Sequence, residues 1–115
     1  MPAAVLKALC WWESGWQTAI VSNTGAIGVC QLEPSTVTFV DTYLVGASLD
    51  PHVAAQNIQL GAAFLAWLLR STAGDVSLAL AGYYQGLLSV HQRGIFPSTA
   101  NYVKGIEAYS AIFAR

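Results

Sequence analysis

The chain reads as an all-α protein, and three observations predict this. Apolar residues recur at helical spacing in several segments. No segment shows the alternation of apolar and polar residues that marks a half-buried strand. One long, nearly continuous apolar stretch follows Asp50-Pro51 and reads as a helix lying in the middle of the fold. The 115 residues, 55% hydrophobic and only 10% charged, suit a single domain, 1–115, with a core that needs no metal or disulfide framework.

Taken in order, residues 3–13 form the first predicted helix. Leu6, Leu9, Cys10 and Glu13 follow at steps of three, one and three and so share a face, and Gly15 is the natural stop. Residues 17–33 carry Ser22, Asn23, Thr24, Gly25 and Gly28, which predicts a loop running into a short helix over about Ala26–Leu32. Pro34-Ser35-Thr36 opens a helix that ends near Gly46, with Val37, Val40, Tyr43 and Leu44 helically spaced. Asp50 as N-cap and Pro51 at the first helical position start the central helix, which runs to about Ser71. Its Asn57 falls on the Val53–Leu60 face, where a polar side chain needs a specific partner. Asp75 caps a helix from Val76 to Gln85 that stops at Gly86. Residues 87–97 read as a loop. Ser98 caps a last helix with the stripe Tyr102, Ile106, Tyr109, Phe113.

Composition excludes several functions. Five basic and six acidic residues give a formal net charge of -1, with no basic run, so nucleic acid is not an expected partner. The longest apolar run, Leu60–Leu69, ends at Arg70, short of the roughly 18 residues a spanning helix needs. No signal peptide is visible at Met1-Pro2-Ala3, and the chain reads as a domain of a longer exported polypeptide. His52 and His91 are isolated, so no metal or cofactor is implied. Cys10 and Cys30 fit no zinc or redox spacing and read as two small buried apolar side chains; the alternative is a disulfide closing a short loop, which implies an oxidising compartment.

The chemistry points to Glu13. It lies in Cys10-Trp11-Trp12-Glu13-Ser14-Gly15-Trp16, one carboxylate among three tryptophans. It also continues the Leu6–Leu9–Cys10 stripe, which aims it at the core or a cleft. Desolvation disfavours the charged form, so a raised pKa is expected, and an acid still protonated near neutral pH is what glycosidic cleavage needs. Asp50 and Asp75 are accounted for as caps, Asp41 as solvated and Glu107 as an exposed position. Glu33 reads as a solvent-facing acid at a helix start, with a catalytic role as the lesser alternative.

Glu13-Ser14-Gly15-Trp16, the run Ser22-Asn23-Thr24-Gly25-Ala26-Ile27-Gly28-Val29-Cys30-Gln31-Leu32, and Pro34-Ser35-Thr36 resemble the signature of the soluble lytic transglycosylase catalytic domain, a family related to goose-type lysozymes. Asn57 with Gly61, Ala81 to Gly86, and Pro97, Thr99, Tyr102 and Val103 resemble its later elements, in the same order over nearly the whole chain.

The resemblance implies a lysozyme-like domain of about five to seven helices around a central buried helix, with a substrate groove. It also implies cleavage of the β-1,4 bond between N-acetylmuramic acid and N-acetylglucosamine in peptidoglycan. One glutamate, here Glu13, gives its proton to the leaving oxygen and then takes one from the C6 hydroxyl as a 1,6-anhydro ring closes. Ser22, Gln31, Tyr83, Tyr84, Gln85 and Tyr102 are the substrate-binding positions it implies, with the Tyr83 hydroxyl near the glutamate. The chain departs from the family pattern at Cys30, usually methionine, at Glu33, usually apolar, and at Tyr84 and Gln85, which replace asparagine and alanine. A monomer acting on glycan strands outside the cytoplasm is expected. The alternatives are a lysozyme-like muramidase in which water attacks, and an inactive peptidoglycan-binding module.

Overall fold

The computed structural model describes residues 2–115. Among these are six α-helices: α1 (Ala3–Ser14), α2 (Pro34–Phe39), α3 (Ala54–Ser71), α4 (Val76–Gln85), α5 (Leu87–Arg93) and α6 (Pro97–Phe113). α2 runs directly into a π-helical turn, Val40–Val45. The chain is all-α, and among the described residues no helix is long and apolar enough to cross a membrane.

α3 lies between the other elements, packing on α4, the π-helical turn and α1, while α6 pairs with α1 and α4. It buries Leu60, Leu65 and Leu68 completely. Leu65 and Leu68 join Val5, Ala8 and Leu9 of α1, Leu80 of α4 and Ile106 of α6. A smaller cluster of Leu32, Val37, Val40 and Leu60 fixes α2 against α3.

Several boundaries differ from those predicted, each for a local reason. Residues 26–32 are not helical. Gly25, Gly28 and Gln31 all take positive φ (92°, 74° and 50°), which turns the chain back on itself. Ile27 pairs with Val21 on one side and Leu32 on the other. Asp50-Pro51 does not open α3. The Asp50 Oδ1 accepts the His52 N–H at 2.9 Å and Val53 N–H bonds the Asp50 carbonyl at 3.1 Å, a turn that delays the helix to Ala54. The predicted loop at 87–97 contains α5, bracketed by Gly86 and Gly94, because Val90 is buried and Leu87 packs on the core. α6 starts at Pro97, not after a Ser98 cap. Asp75 caps α4 as expected, accepting the Leu78 N–H at 3.0 Å.

Asn57 explains why the irregular 15–33 segment holds its shape. It is fully buried on α3, and its Oδ1 accepts the Cys30 N–H at 2.8 Å. Its Nδ2 donates to the carbonyls of Ile27 (2.9 Å) and Pro51 (2.8 Å). One amide thus bonds three backbone groups that lie outside any helix. Its Nδ2 lies 2.6 Å from where a Cβ on Gly28 would sit, so Gly28 permits that approach as well as the turn.

Cys10 and Cys30 form a disulfide, correcting the reading of two unpaired apolar side chains. The bond joins α1, three residues before Glu13, to the 15–33 segment.

Candidate active site

Glu13 sits in the last turn of α1, half-buried. Its register places it over Leu9 (0% exposed) and Cys10 (3%), which is why the carboxyl is carried into the fold and not into bulk solvent. The next residue ties this helix end down: Ser14 Oγ donates toward the Val29 carbonyl at 2.6 Å and accepts the Gln17 N–H at 3.1 Å. Gly15 then ends the helix in the left-handed region, its N–H on the Trp11 carbonyl.

Burial pushes the Glu13 carboxyl from 4.5 up to about 7. A hydrogen bond from the Tyr102 hydroxyl to Glu13 Oε2, 2.8 Å long, pulls the other way. Tyr102 itself is buried on α6, and burial first, then the charge of Glu13, holds its pKa well above the ordinary value. The phenol therefore keeps its proton wherever Glu13 titrates and acts as a fixed donor. Replacing Tyr102 with phenylalanine removes a bond that favours the carboxylate. The Glu13 transition is then expected to move upward from about 7, by roughly one unit. Carbon-detected NMR of the Glu13 carboxyl against pH checks this; an unmoved midpoint would show that the bond does not set the acidity.

Glu13 opens onto a cleft of about 370 Å³, lined also by Ser22, Thr24, Ala26, Gln31, Glu33, Tyr83 and Tyr84. The structure thus brings together Glu13, Ser22, Gln31, Tyr83 and Tyr84 of the predicted site. The Tyr83 hydroxyl donates to the Cys30 carbonyl at 2.8 Å, not to Glu13. It is still close enough to Glu13 for that charge to add to burial in raising its pKa. Ser22 Oγ accepts the N–H groups of Thr24 (3.3 Å) and Ala26 (3.0 Å), and Gln31 Nε2 donates to the carbonyls of Ile20 and Gly28, both at 3.0 Å. These two shape the wall they line. Tyr84, 51% exposed, stacks on Tyr102 with ring centroids 4.6 Å apart and presents its other face outward.

Gln85 does not belong to the cleft. Its Nε2 donates to Ser89 Oγ (3.0 Å) and the Gly94 carbonyl (2.9 Å). Its Oε1 accepts from the Phe96 N–H (3.1 Å) and the Thr99 hydroxyl (2.7 Å). The amide is fully used in bracing the start of α6, where no side-chain cap exists. Tyr102 likewise is not a groove surface; it supports Glu13 from beneath. The tryptophans also stand apart. Trp16 folds back so that its Nε1 donates to the Lys7 carbonyl at 3.0 Å, and Trp11 packs edge-on against it at 4.9 Å. Trp12 lies against Gly105 of α6. None lines the cleft, so the dry surroundings of Glu13 come from its own helix face and from the tyrosines.

Of the other lining residues, Thr24 and Ala26 were not singled out as site positions by sequence reasoning, and Glu33 was read first as a solvent-facing acid. Thr24 Oγ1 donates to Glu33 Oε1 at 2.8 Å, and only the folding back of the 22–33 segment brings them together.

The transglycosylase SLT domain matches residues 1–101. The chain belongs to this family. The fold is also similar to the lytic transglycosylase Slt of Pseudomonas aeruginosa, solved as an inactive mutant, with a TM-score of 0.88, 25% identity, and coverage of 96% of this chain and 21% of that one. The 70-kDa soluble lytic transglycosylase SLT70 of Escherichia coli gives a TM-score of 0.89 at 24% identity, covering 98% and 22%. A complex of the 70-kDa soluble lytic transglycosylase with bulgecin A gives 0.90 at 25%, covering 99% and 22%. The chain therefore spans about a fifth of the length of these SLT proteins. Each likeness covers more of the chain than the matched residues 1–101.

Proposed function

We propose that this SLT domain is a peptidoglycan lytic transglycosylase and that Glu13 is its acid and base. The observation that carries the reading is the carboxyl of Glu13, held protonated up to about pH 7 at a polar cleft. In the first step that proton passes to O4 of N-acetylglucosamine as the bond to C1 of N-acetylmuramic acid breaks. In the second the muramic acid C6 oxygen bonds to C1, and its proton goes to the Glu13 carboxylate. The acid is restored without consuming water. Tyr102 donates to Glu13 Oε2, which leaves Oε1 to exchange the proton and favours the anion formed between the steps.

Around this group, Tyr84 offers an exposed aromatic face for a sugar ring, while Ser22, Gln31 and Tyr83 form the wall and floor of the groove. Gln85, whose amide is bonded within the fold, is left out of this set. The Cys10–Cys30 disulfide supports an extracytoplasmic location, since such bonds persist in oxidising compartments. The test is mass spectrometry of digested peptidoglycan. Muropeptides ending in 1,6-anhydro-N-acetylmuramic acid are expected, and their absence among the cleavage products would sink the reading.

A further inference from the structure

We propose that Glu33 is a second catalytic carboxylate, which deprotonates a water molecule in the cleft and so gives the enzyme a hydrolytic branch beside anhydro-ring formation. The inference rests on the transglycosylase reading above and adds a second outcome to the same first step.

Glu33 and Glu13 reach one cleft from different elements, Glu33 from the residue preceding α2 and Glu13 from the end of α1. An acid just before a helix has an ordinary structural role, accepting the free N–H groups of the first turn. Glu33 occupies the N-cap position of α2 and makes no such bond. Its side chain turns instead to the cleft wall, where Oε1 accepts the Thr24 hydroxyl at 2.8 Å.

That contact is the end of a directed chain of donors. Because the Thr24 proton is given to Glu33, the 3.0 Å contact between Ser22 Oγ and Thr24 Oγ1 must be donated by Ser22. Ser22 Oγ in turn accepts the N–H groups of Thr24 and Ala26. Two backbone N–H groups and two hydroxyls thus point in sequence toward one carboxylate oxygen and fix its orientation. Oε2 makes no hydrogen bond among the described residues. The two acids are therefore set up differently. Glu13 is desolvated and gives the proton, whereas Glu33 is oriented at the same cleft by the Thr24 hydroxyl. This division of labour between two carboxyls is what a water-consuming glycosidase requires.

The step balances as follows. Glu13 gives its proton to O4 of N-acetylglucosamine as the C1–O4 bond breaks. The water oxygen bonds to C1, and the water proton passes to Glu33. Exchange with solvent then resets both groups, leaving a reducing N-acetylmuramic acid end in place of the anhydro end.

The experiment digests purified peptidoglycan, reduces the products with borohydride, and measures muramitol ends against anhydro ends by mass spectrometry. The parent is expected to form both, and Glu33→Gln is expected to lower the muramitol-to-anhydro ratio at least tenfold. Thr24→Val, which removes the donor to Glu33 Oε1 while leaving both carboxyl groups in place, should lower the same ratio. A ratio is unaffected by a general loss of folded enzyme, so a merely structural role for Glu33 would leave it unchanged and overturn the proposal. Anhydro ends alone from the parent would also overturn it while leaving the transglycosylase reading standing. Muramitol ends alone would instead sink the reading on which it rests.

Discussion

Glu13→Gln is expected to abolish glycan cleavage and at the same time to stabilise the protein at alkaline pH. Loss of a positioned acid–base group costs roughly 10²–10⁴-fold in rate, and here one group serves both steps, so the upper end of that range is expected. The stability effect follows from the same desolvation. The Glu13 carboxyl titrates at about 7 in the folded chain against 4.5 for the ordinary group. Below pH 4.5 both folded and unfolded chains carry the proton, and the buried acid costs nothing extra. As pH rises through 7, the folded state must accept an ionised carboxylate in a dry site, and the stability present in acid is lost. A shift of this size corresponds to about 3 kcal/mol. Glutamine has nearly the same shape, never ionises, and still accepts the Tyr102 hydroxyl. Denaturant melts of parent and variant should therefore nearly coincide at pH 4 and separate by about 2–3 kcal/mol at pH 8. Coincident melts at pH 8 would show that Glu13 is not desolvated. Retained cleavage would remove it from the mechanism.

The direction of Glu13 was legible because a helix has a fixed period. Once Leu6, Leu9 and Cys10 are seen to share its face, the carboxyl must follow them inward. The partner that tunes it was not legible from the residues alone. Tyr102 lies 89 residues away in sequence, and its place in an apolar stripe marks it equally well as core. Composition also misled locally. Three tryptophans flank Glu13 in sequence, but on a helix immediate neighbours point to different sides, and Trp11 and Trp12 turn to α6. The helix predicted over 26–32 failed because Gly25 and Gly28 serve as turning points. The compensating bonds there come from Asn57, whose need for a partner was visible though its targets were not. Gln85 shows the limit of carrying a role over from a resemblance. It stands at a groove position of the pattern, yet its amide braces the start of α6.

Removing the disulfide, by Cys10→Ala with Cys30→Ala, is expected to lower stability substantially while sparing catalysis below the new unfolding midpoint. The bond spans a sequence separation of 20 residues. Closing a loop of that size in the unfolded chain corresponds to about 3 kcal/mol of stabilisation. For a domain of this length, that is a fall in midpoint of roughly 10–15 °C. The segment it closes is nevertheless anchored independently. Asn57 holds Ile27, Cys30 and Pro51, Ser14 holds Val29, and Tyr83 holds the Cys30 carbonyl, all through bonds that survive when the sulfurs are gone. The disulfide therefore acts chiefly on the entropy of the unfolded chain, and the cleft keeps its shape. Thermal melts and cleavage assays well below the lowered midpoint separate the two effects. A variant that melts like the parent would refute the stabilising role. One that stays folded but loses activity would show that the bond, and not the hydrogen bonds around it, sets the geometry of the Glu13 site.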